Sequence, residues 1–413
     1  MRAPSRWIRQ QPAHSGVRCS PVPFGKIHED VSPYGERFRN KYSHFTNPYH
    51  LIPKTYPMFH LLERYTVESV TSGHPDKVCD QISDAILDAM IEQDPFSRSG
   101  VETFGSHGTL MIGGEVKTKA KVDFEKIARR VYREIGYKEK IEVIVRVAQQ
   151  SPDIAMGVDV GGAGDQGIMY GYATNETKEM LPLGVVLSHA LARRLEKLRR
   201  EGVLKWLRPD GKTQVVVGNG KPGKRGTVIN ALCSTQHDAK VGQDEIRAML
   251  IKHLFRPVLG SLKDVEILVN PTGQFIQGGF MADAGLTGRK IQVDTYGGLV
   301  PHGGGCFSGK DATKVDRSAA YMCRFVAKNL VAGGYGKKVL VSVAYAIGRA
   351  EPVMVEAFDD KGKNLTSIVN KHFDFRPAAI IERLDLRRPI YRATAAYGHF
   401  GVAGRSWEKI IKI

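Results

Sequence analysis

The sequence predicts an α+β fold made of three similar units, each a mixed or antiparallel sheet covered by helices. Short strand-like runs alternate with amphipathic helical segments, and this alternation repeats about three times along the chain. No short-period repeat of the solenoid type is present in the sequence. The length of 413 residues and the 42% hydrophobic content suit roughly two to four globular domains. We expect an extension over 1–60 and three domains over 61–160, 161–278 and 279–413.

The first strong element is a helix over 76–90. Its apolar residues recur on one face, while Asp80, Asp84 and Asp88 occupy the opposite side and Pro75 suits the first turn. Further helices are predicted over 124–135, 182–199, 243–254 and 318–331. Strands are predicted over 108–116, 141–148, 214–217, 265–269, 292–295 and 339–346.

The extension differs from the rest of the chain. It carries six of the 17 net positive charges and shows neither helical nor strand periodicity, so we expect it to be basic and disordered. Its Arg- and Ser-rich start has the composition of an organelle transit peptide but lacks a continuous amphipathic face. The other interpretation is an inert tail or a true start at Met58. That interpretation predicts a cytoplasmic protein.

Composition also bears on the class of function. No apolar run approaches the roughly 20 residues that cross a bilayer, so no membrane protein is expected. The net charge of +17 suggests an acidic partner, but no block of five like charges follows residue 60, which argues against nucleic-acid binding. Five cysteines, never spaced as C-x-x-C, predict free thiols rather than a disulfide scaffold or zinc site.

Two glycine-rich segments imitate nucleotide-binding motifs. Residues 162–167 match G-x-G-x-x-G, but the residues after them form a poor helix, which argues against dinucleotide binding. Residues 304–310 match the first seven P-loop positions, and Asp311 stands where a Ser or Thr should bind magnesium. A P-loop NTPase is therefore not expected, although glycine backbone can still surround a phosphate.

Four glycine-rich clusters place ionisable residues beside open backbone, over 72–77, 161–167, 283–290 and 303–316. Taken singly, each ionisable residue is well explained as a surface ion pair or a helix cap. Together the clusters supply the two kinds of group that a magnesium-bound polyphosphate needs, cations and hard oxygen ligands. These are His74, Lys77, Arg289, Lys290, Lys310 and Lys314 on one side, and Asp76, Asp165, Asp283 and Asp316 on the other.

A series of longer motifs, in order, makes the chain similar to the S-adenosylmethionine synthetase family from about Leu61 to Trp407. The matching segments begin with GHPDK at 73, GGE at 113, QSPDI at 150, GAGDQG at 162, YATNET at 172 and WLRPDGKTQV at 206. They continue with STQH at 234, DAGLTGRKIQVDTYGG at 283, HGGGCFSGKDATKVDRSAAY at 302 and YGHFG at 397. The resemblance implies the fold of that family, which agrees with the α+β prediction.

The resemblance also implies a reaction. Methionine sulfur attacks C5′ of ATP and displaces the whole triphosphate, which is then hydrolysed to pyrophosphate and phosphate. Because sulfur needs no general base, the catalyst must mainly align the reactants and stabilise charge on the leaving triphosphate. The sequence accordingly shows many cations and no Ser-His-Asp or Cys-His arrangement.

Roles for individual residues follow from the resemblance alone. It implies that His74 contacts the triphosphate near the bond that breaks, and that the phosphates are held by Lys212, Arg289, Lys290 and Lys310. Further ATP contacts would come from Asp210 and Phe275 on the adenosine side, and from Asp283 and Cys306. The expected methionine contacts are Glu115, Gln150, Asp283 and Lys314. Lys314 is also expected among the catalytic cations, with His74, Lys212, Arg289, Lys290 and Lys310.

Cofactors and assembly are implied in the same way. Asp76 and Asp316 match the carboxylates that bind Mg²⁺, two ions per site, and Glu102 matches the K⁺ ligand. ATP and L-methionine are the expected partners, in a homodimer or homotetramer whose active sites lie at subunit interfaces. Neither a nucleic acid nor a membrane is expected as a partner.

Several positions depart from the family pattern. Gly279-Phe280 replaces a glycine-proline turn, and Gln274, Ala282 and Cys306 replace arginine, glycine and alanine. The segment between Gln150 and Asp165 is short, so we expect activity to be retained with altered gating of the site. The alternative is a regulatory subunit of the same fold with impaired catalysis. A nucleic-acid-binding protein is a third hypothesis, and it requires salt-dependent binding that disappears when residues 1–57 are removed.

Overall fold

The computed structural model describes residues 64–150, 162–218 and 226–413. The predicted extension lies outside the described residues. The strands are β1 (Arg64–Val70), β2 (Arg98–Ser106), β3 (Thr109–Lys117), β4 (Glu142–Gln149), β5 (Gly167–Thr174), β6 (Leu207–Gly218), β7 (Thr227–His237), β8 (Glu266–Val269), β9 (Gly285–Leu286), β10 (Lys338–Tyr345) and β11 (Met354–Asp359). The α-helices are α1 (Pro75–Gln93), α2 (Phe124–Ile135), α3 (Leu183–Arg200), α4 (Gln243–Leu250), α5 (Arg256–Leu259), α6 (Ile291–Asp294), α7 (Val315–Ala332), α8 (Thr366–His372) and α9 (Pro377–Arg383). A π-helical turn, Ile251–Phe255, joins α4 to α5, and short 3₁₀ turns cover Gly279–Met281, Arg392–Thr394 and Ser406–Glu408.

Three sheets organise the described residues. The first has the strand order β1-β6-β7-β8, the second β4-β3-β2-β9 and the third β11-β10-β5. Pairing is antiparallel except between β3 and β4 and between β7 and β8, which are parallel. The predicted α+β fold with mixed and antiparallel sheets is therefore confirmed. The domain boundaries at 160 and 278 stay predictions. Two strand pairs cross them, because β1 pairs with β6 across 160 and β5 pairs with β10 across 278.

Most predicted elements are present with shifted ends. The helix predicted over 124–135 is α2, and those over 76–90, 182–199 and 318–331 lie within α1, α3 and α7 to within a residue. The strand predicted over 292–295 is wrong, because these residues lie in and just after the short helix α6. The alternation of Ile291 and Val293 imitates a strand, but Asp294 is buried through an ion pair with a lysine of α1. The segment that begins at Gly167, which the sequence predicts to be a poor helix, is strand β5.

Helix α1 lies at the centre of the site described below. His74 caps its N-terminus, Pro75 occupies the first turn and the chain leaves the helix at Asp94. Its apolar residues, among them Val78, Ile82 and Ile86, are buried in a core with β2, β3 and α2. Its polar side is buried as well, which is unusual for a helix in a layered fold and indicates that other segments pack onto it.

Two compositional predictions can be compared with the described residues. The four cysteines among them, Cys79, Cys233, Cys306 and Cys323, are free thiols, as predicted. No helix in the described part of the chain is long and apolar enough to span a membrane.

Candidate active site

The loop before α1 is held by close packing. A Cβ on Gly73 would lie 2.3 Å from the carbonyl oxygen of Pro209, so only glycine fits. The hydroxyl of Tyr137 donates a hydrogen bond to the Gly73 carbonyl at 2.5 Å. The next residue, His74, is buried, and its Nδ1 accepts a hydrogen bond from the backbone N–H of Asp76 at 3.2 Å. Sequence and packing thus fix the imidazole at the helix N-terminus.

Burial is the main cause that lowers the pKa of His74, to about 3, and the nearby Lys290 ammonium adds to it. The imidazole is therefore neutral at pH 7. Since Nδ1 accepts a hydrogen bond, the proton of the neutral ring is on Nε2, where it can be donated.

Asp76 is surrounded by donors from the segment 286–290. Its Oδ1 accepts from the Leu286 N–H at 3.0 Å and faces the Arg289 Nε at 2.9 Å. Its Oδ2 accepts from the Lys290 Nζ at 2.5 Å. Burial raises the pKa of Asp76, but the hydrogen bond and charge of Lys290 outweigh it, so the pKa lies below its ordinary value. Asp76 is a charged carboxylate held between two cations.

A second ion pair lies in the segment 303–316. Lys310 Nζ contacts Asp316 Oδ2 at 2.5 Å, and both side chains are about one-fifth exposed. The loop approaches Asp316 so closely that a Cβ on Gly305 would lie 2.2 Å from its Oδ1. Residues of the cluster 161–167 are also near, since a Cβ on Gly167 would lie 3.5 Å from the same oxygen.

The lysines of the two ion pairs lie in adjoining segments. A Cβ on Gly288 would lie 2.3 Å from the Cβ of Cys306, so the backbone before Arg289 packs directly on the loop before Lys310. Burial raises the pKa of the Cys306 thiol to about 11, which keeps it neutral. Three of the glycine-rich clusters found in the sequence, at His74, at Lys290 and at Lys310, therefore meet in one region, and the fourth borders it.

The expected adenosine-side residues lie between β6 and the segment before β9. Asp210 Oδ2 accepts from the Gly279 N–H at 2.9 Å, and burial raises the pKa of Asp210 to about 6. Phe275 is tied to His237 by two hydrogen bonds, one from its N–H to Nε2 and one to its carbonyl from the His237 N–H. Lys212 is exposed on β6. The contact at His237 was missed from the sequence, although the STQH motif contains it.

The expected methionine-side residues are less enclosed. Gln150 Nε2 donates to Glu115 Oε1 at 3.0 Å, which brings two of them together. Asp283 is exposed and accepts from the neighbouring Ala284 N–H. Lys314 contacts the buried Asp311 at 2.6 Å, so it is tied to its own loop. Glu102, the expected K⁺ ligand, is exposed on β2.

Lys77, which the sequence groups with the phosphate ligands, and Arg317 of α7 are structural cations. Lys77 is fully buried between Asp80 at 2.8 Å and Asp294 at 2.5 Å. Arg317 is fully buried and contacts Asp84 through both terminal nitrogens, at 2.7 and 2.8 Å. Neither the Lys77 ammonium nor the Arg317 guanidinium is accessible to a substrate. Asp165, expected with the carboxylates, is exposed and accepts from the Gln166 N–H.

Phe280 occupies the position where the family pattern predicts proline. Its ring is buried and stacks on Tyr132 with centroids 5.6 Å apart. A Cβ on Gly105 would lie 2.3 Å from the ring, so the strand β2 leaves room for it. The phenylalanine at this position is therefore accommodated by packing against Tyr132 and Gly105. The shortened segment after Gln150 falls mostly at 151–161, outside the described residues, and altered gating stays a prediction.

Comparison with known proteins identifies the family of the chain. Family models described as the N-terminal, central and C-terminal domains of S-adenosylmethionine synthetase match residues 63–152, 160–275 and 277–409. The chain is 52% identical over 369 residues to the S-adenosylmethionine synthase of Pseudothermotoga lettingae, covering 82% of this chain and 93% of that protein. It is 48% identical over 388 residues to the S-adenosylmethionine synthase of Petrotoga mobilis, covering 84% and 96%. The chain belongs to the S-adenosylmethionine synthetase family.

Proposed function

We propose that the protein is a methionine adenosyltransferase, which transfers the adenosyl group of ATP to the sulfur of L-methionine and hydrolyses the triphosphate to pyrophosphate and phosphate. Relatives at about half identity are named for this product, and the family uses ATP and methionine. The observation that carries the proposal is that two lysine–carboxylate pairs, Asp76–Lys290 and Lys310–Asp316, have their lysines on adjoining segments, with a neutral histidine beside Asp76.

We call Asp76, Arg289, Lys290, Lys310 and Asp316 the triphosphate end. When C5′ leaves oxygen for sulfur, negative charge grows on the displaced triphosphate, and preorganised cations stabilise that charge. In this proposal Lys290 and Lys310 exchange their carboxylate partners for phosphate oxygens. Arg289, with almost half of its side chain exposed, and the exposed Lys212 extend the cationic surface.

His74 acts nearest the bond that breaks. Its neutral ring carries the proton on Nε2, so we propose that Nε2–H donates a hydrogen bond to the leaving oxygen without transferring its proton. Adenosine would be recognised by Asp210, Phe275, Asp283 and Cys306.

We call Glu115, Gln150 and Asp283 the methionine end, to which Lys314 would add a cation. Its carboxylates suit the ammonium of methionine, and an ammonium held there directs the sulfur toward C5′. The sulfur lone pair forms the new S–C5′ bond as the C5′–O bond breaks, and the bonding electrons leave with the triphosphate. No proton has to be removed from sulfur.

The family needs metal ions, and we propose Mg²⁺ and K⁺ for this chain. Asp76 and Asp316 are carboxylates on two different segments, each bonded to a lysine. Such a pair fits Mg²⁺, which commonly binds one or two carboxylates and completes its shell with phosphate oxygens and water. Two Mg²⁺ ions would neutralise charge on the triphosphate when bound. The exposed Glu102 carboxylate is the proposed K⁺ ligand.

Assembly and compartment belong to the proposal as well. We expect a homodimer or homotetramer, which light scattering would measure. The cytoplasm is the expected compartment, and mass spectrometry of the natural N-terminus distinguishes a start at Met58 from cleavage of a transit peptide.

The activity is tested with the purified full chain, ATP, L-methionine, Mg²⁺ and K⁺. We expect S-adenosylmethionine, pyrophosphate and phosphate in equal amounts, measured by mass spectrometry and phosphate assays. Arg388→Met removes an exposed cation paired with Asp385 and serves as the matched control with full activity. Absence of S-adenosylmethionine at high enzyme concentration would overturn the proposed function and leave the non-catalytic subunit as the better hypothesis.

A further inference from the structure

Four aspartates lie one turn apart on the polar side of α1, and each accepts backbone hydrogen bonds from a distant segment. We call Asp76, Asp80, Asp84 and Asp88 the aspartate row. Their partners are, in order, the N–H groups of Leu286, Gly288 and Gly309, and those of Tyr391 and Arg392 together, at 2.8 to 3.0 Å. The side of α1 opposite its apolar face thus provides hydrogen-bond acceptors for several other segments.

Asp80 fixes the loop that carries Arg289 and Lys290. Its Oδ1 accepts from the Gly288 N–H at 2.8 Å, one residue before the two cations. Gly288 has a φ of 78° and packs against Cys306, so its position is constrained from both sides. The other oxygen of Asp80 is held by the buried Lys77 at 2.8 Å. Asp80 itself therefore cannot turn away from Gly288 without leaving Lys77.

Asp84 repeats this arrangement one turn later for the loop that carries Lys310. Its Oδ1 accepts from the Gly309 N–H at 2.8 Å, one residue before Lys310. Gly309 has a φ of 81°, and a Cβ there would lie 2.0 Å from the Val101 carbonyl oxygen. Asp84 is oriented by Arg317, which contacts both of its oxygens.

We propose that Asp80 and Asp84 are positioning residues that set the spacing of the phosphate-binding cations. Asp80 holds Gly288, which precedes Arg289 and Lys290, and Asp84 holds Gly309, which precedes Lys310. Adjacent members of the row are about 6 Å apart along the helix axis, and the rigid helix passes that spacing to the two loops. Both aspartates are fully buried, so they act through the glycine amides and touch no substrate. The inference rests on the proposed function, because it assumes that these cations bind a triphosphate.

Asp88 is the matched control. It belongs to the same row and accepts two backbone hydrogen bonds, but its partners Tyr391 and Arg392 begin a 3₁₀ turn and carry no cation of the triphosphate end. Removing Asp88 leaves the hydrogen bond between Asp80 and Gly288 in place. Tyr391 also packs over the Arg317 guanidinium, so only a small effect is expected, and it should fall on the loop of Lys310.

The test measures binding of inorganic tripolyphosphate with Mg²⁺ to the full chain by calorimetry. Asp80→Ala removes the hydrogen bond that holds Gly288, so the loop of Arg289 and Lys290 is no longer fixed. Binding of tripolyphosphate should weaken at least about tenfold. Binding by Asp88→Ala should stay within about twofold of the wild type. Equal weakening of binding by Asp80→Ala and Asp88→Ala would overturn the proposal.

Hydrogen exchange of the wild-type protein tests the proposal even if Asp80→Ala does not fold. Peptides that cover 286–290 and 307–310 should be protected at Gly288 and Gly309 before any ligand is added. Immediate exchange of both amides, with protection appearing only on addition of tripolyphosphate, would contradict it. Neither experiment requires synthesis of S-adenosylmethionine. A wild-type chain without that activity but with these results would refute the proposed function and leave the positioning role intact.

Discussion

The triphosphate end and the methionine end of the proposed site are built differently. At the triphosphate end, Lys290 and Lys310 each hold a carboxylate at 2.5 Å, within loops attached to α1. At the methionine end, Glu115 holds Gln150 by one hydrogen bond, and Asp283 is exposed. Phosphate binding must therefore exchange existing ion pairs in an ordered frame, whereas methionine binding adds new contacts. Changes at the first end should act mainly on rate, and changes at the second mainly on methionine affinity.

The largest effect is expected when the frame of the triphosphate end is broken. Arg317→Met leaves the Asp84 carboxylate buried without its counterion, which should lower the free energy of unfolding by about 3–5 kcal/mol. Arg388→Met breaks an exposed pair with Asp385 and should cost about 0–1 kcal/mol. Urea unfolding of both variants measures the difference. Similar costs for the two would show that the buried pair does not support the frame.

Loss of one accessible cation should act on rate. Lys290→Met removes a preorganised positive charge from the leaving triphosphate, and we expect kcat to fall about 10²–10³-fold while the KM for methionine changes little. Lys290→Arg keeps the charge and should recover part of the rate. Steady-state kinetics with both substrates measures this. An unchanged kcat would remove Lys290 from the triphosphate end.

The adenosine side can be tested through the pH dependence of the free energy of unfolding, because it contains the buried Asp210. Because burial raises the pKa of Asp210 from 3.8 to about 6, the folded protein keeps a proton between these values that the unfolded chain has released. This contribution to the free energy of unfolding falls as the pH rises from about 4 to about 6 and is constant above. Relative to Asp210→Asn, the wild type should lose about 3 kcal/mol over that range. A pH-independent difference between the two proteins would contradict the buried state of Asp210.

A smaller effect is expected at the methionine end. Glu115→Gln removes the charge offered to the substrate ammonium, so the KM for methionine should rise about tenfold. The KM for ATP should stay within about twofold. Glu142→Gln, an exposed residue on the neighbouring strand β4, is the control. An equal rise of both KM values would show that the two ends are not separate.

The sequence could predict which segments carry the chemistry but not which cations are available. Lys77 and Lys290 both stand in glycine-rich motifs. Lys77, however, forms buried ion pairs with Asp80 and with Asp294, which lies 217 residues away in the sequence. Such long-range pairing leaves no local pattern. The same reason explains the error at 292–295, where burial of Asp294 decides the conformation. Helix α1 was predictable because its apolar period and its caps are local, but the partners of its aspartates were not.

The most direct test of the account is a crystal structure with Mg²⁺ and a non-hydrolysable ATP analogue. The account predicts that Lys290 Nζ and Lys310 Nζ leave Asp76 and Asp316 and lie within hydrogen-bond distance of phosphate oxygens, with both carboxylates turned to metal. Gly288 and Gly309 should keep their hydrogen bonds to Asp80 and Asp84. A nucleotide bound elsewhere, with the ion pairs Asp76–Lys290 and Lys310–Asp316 intact, would contradict it.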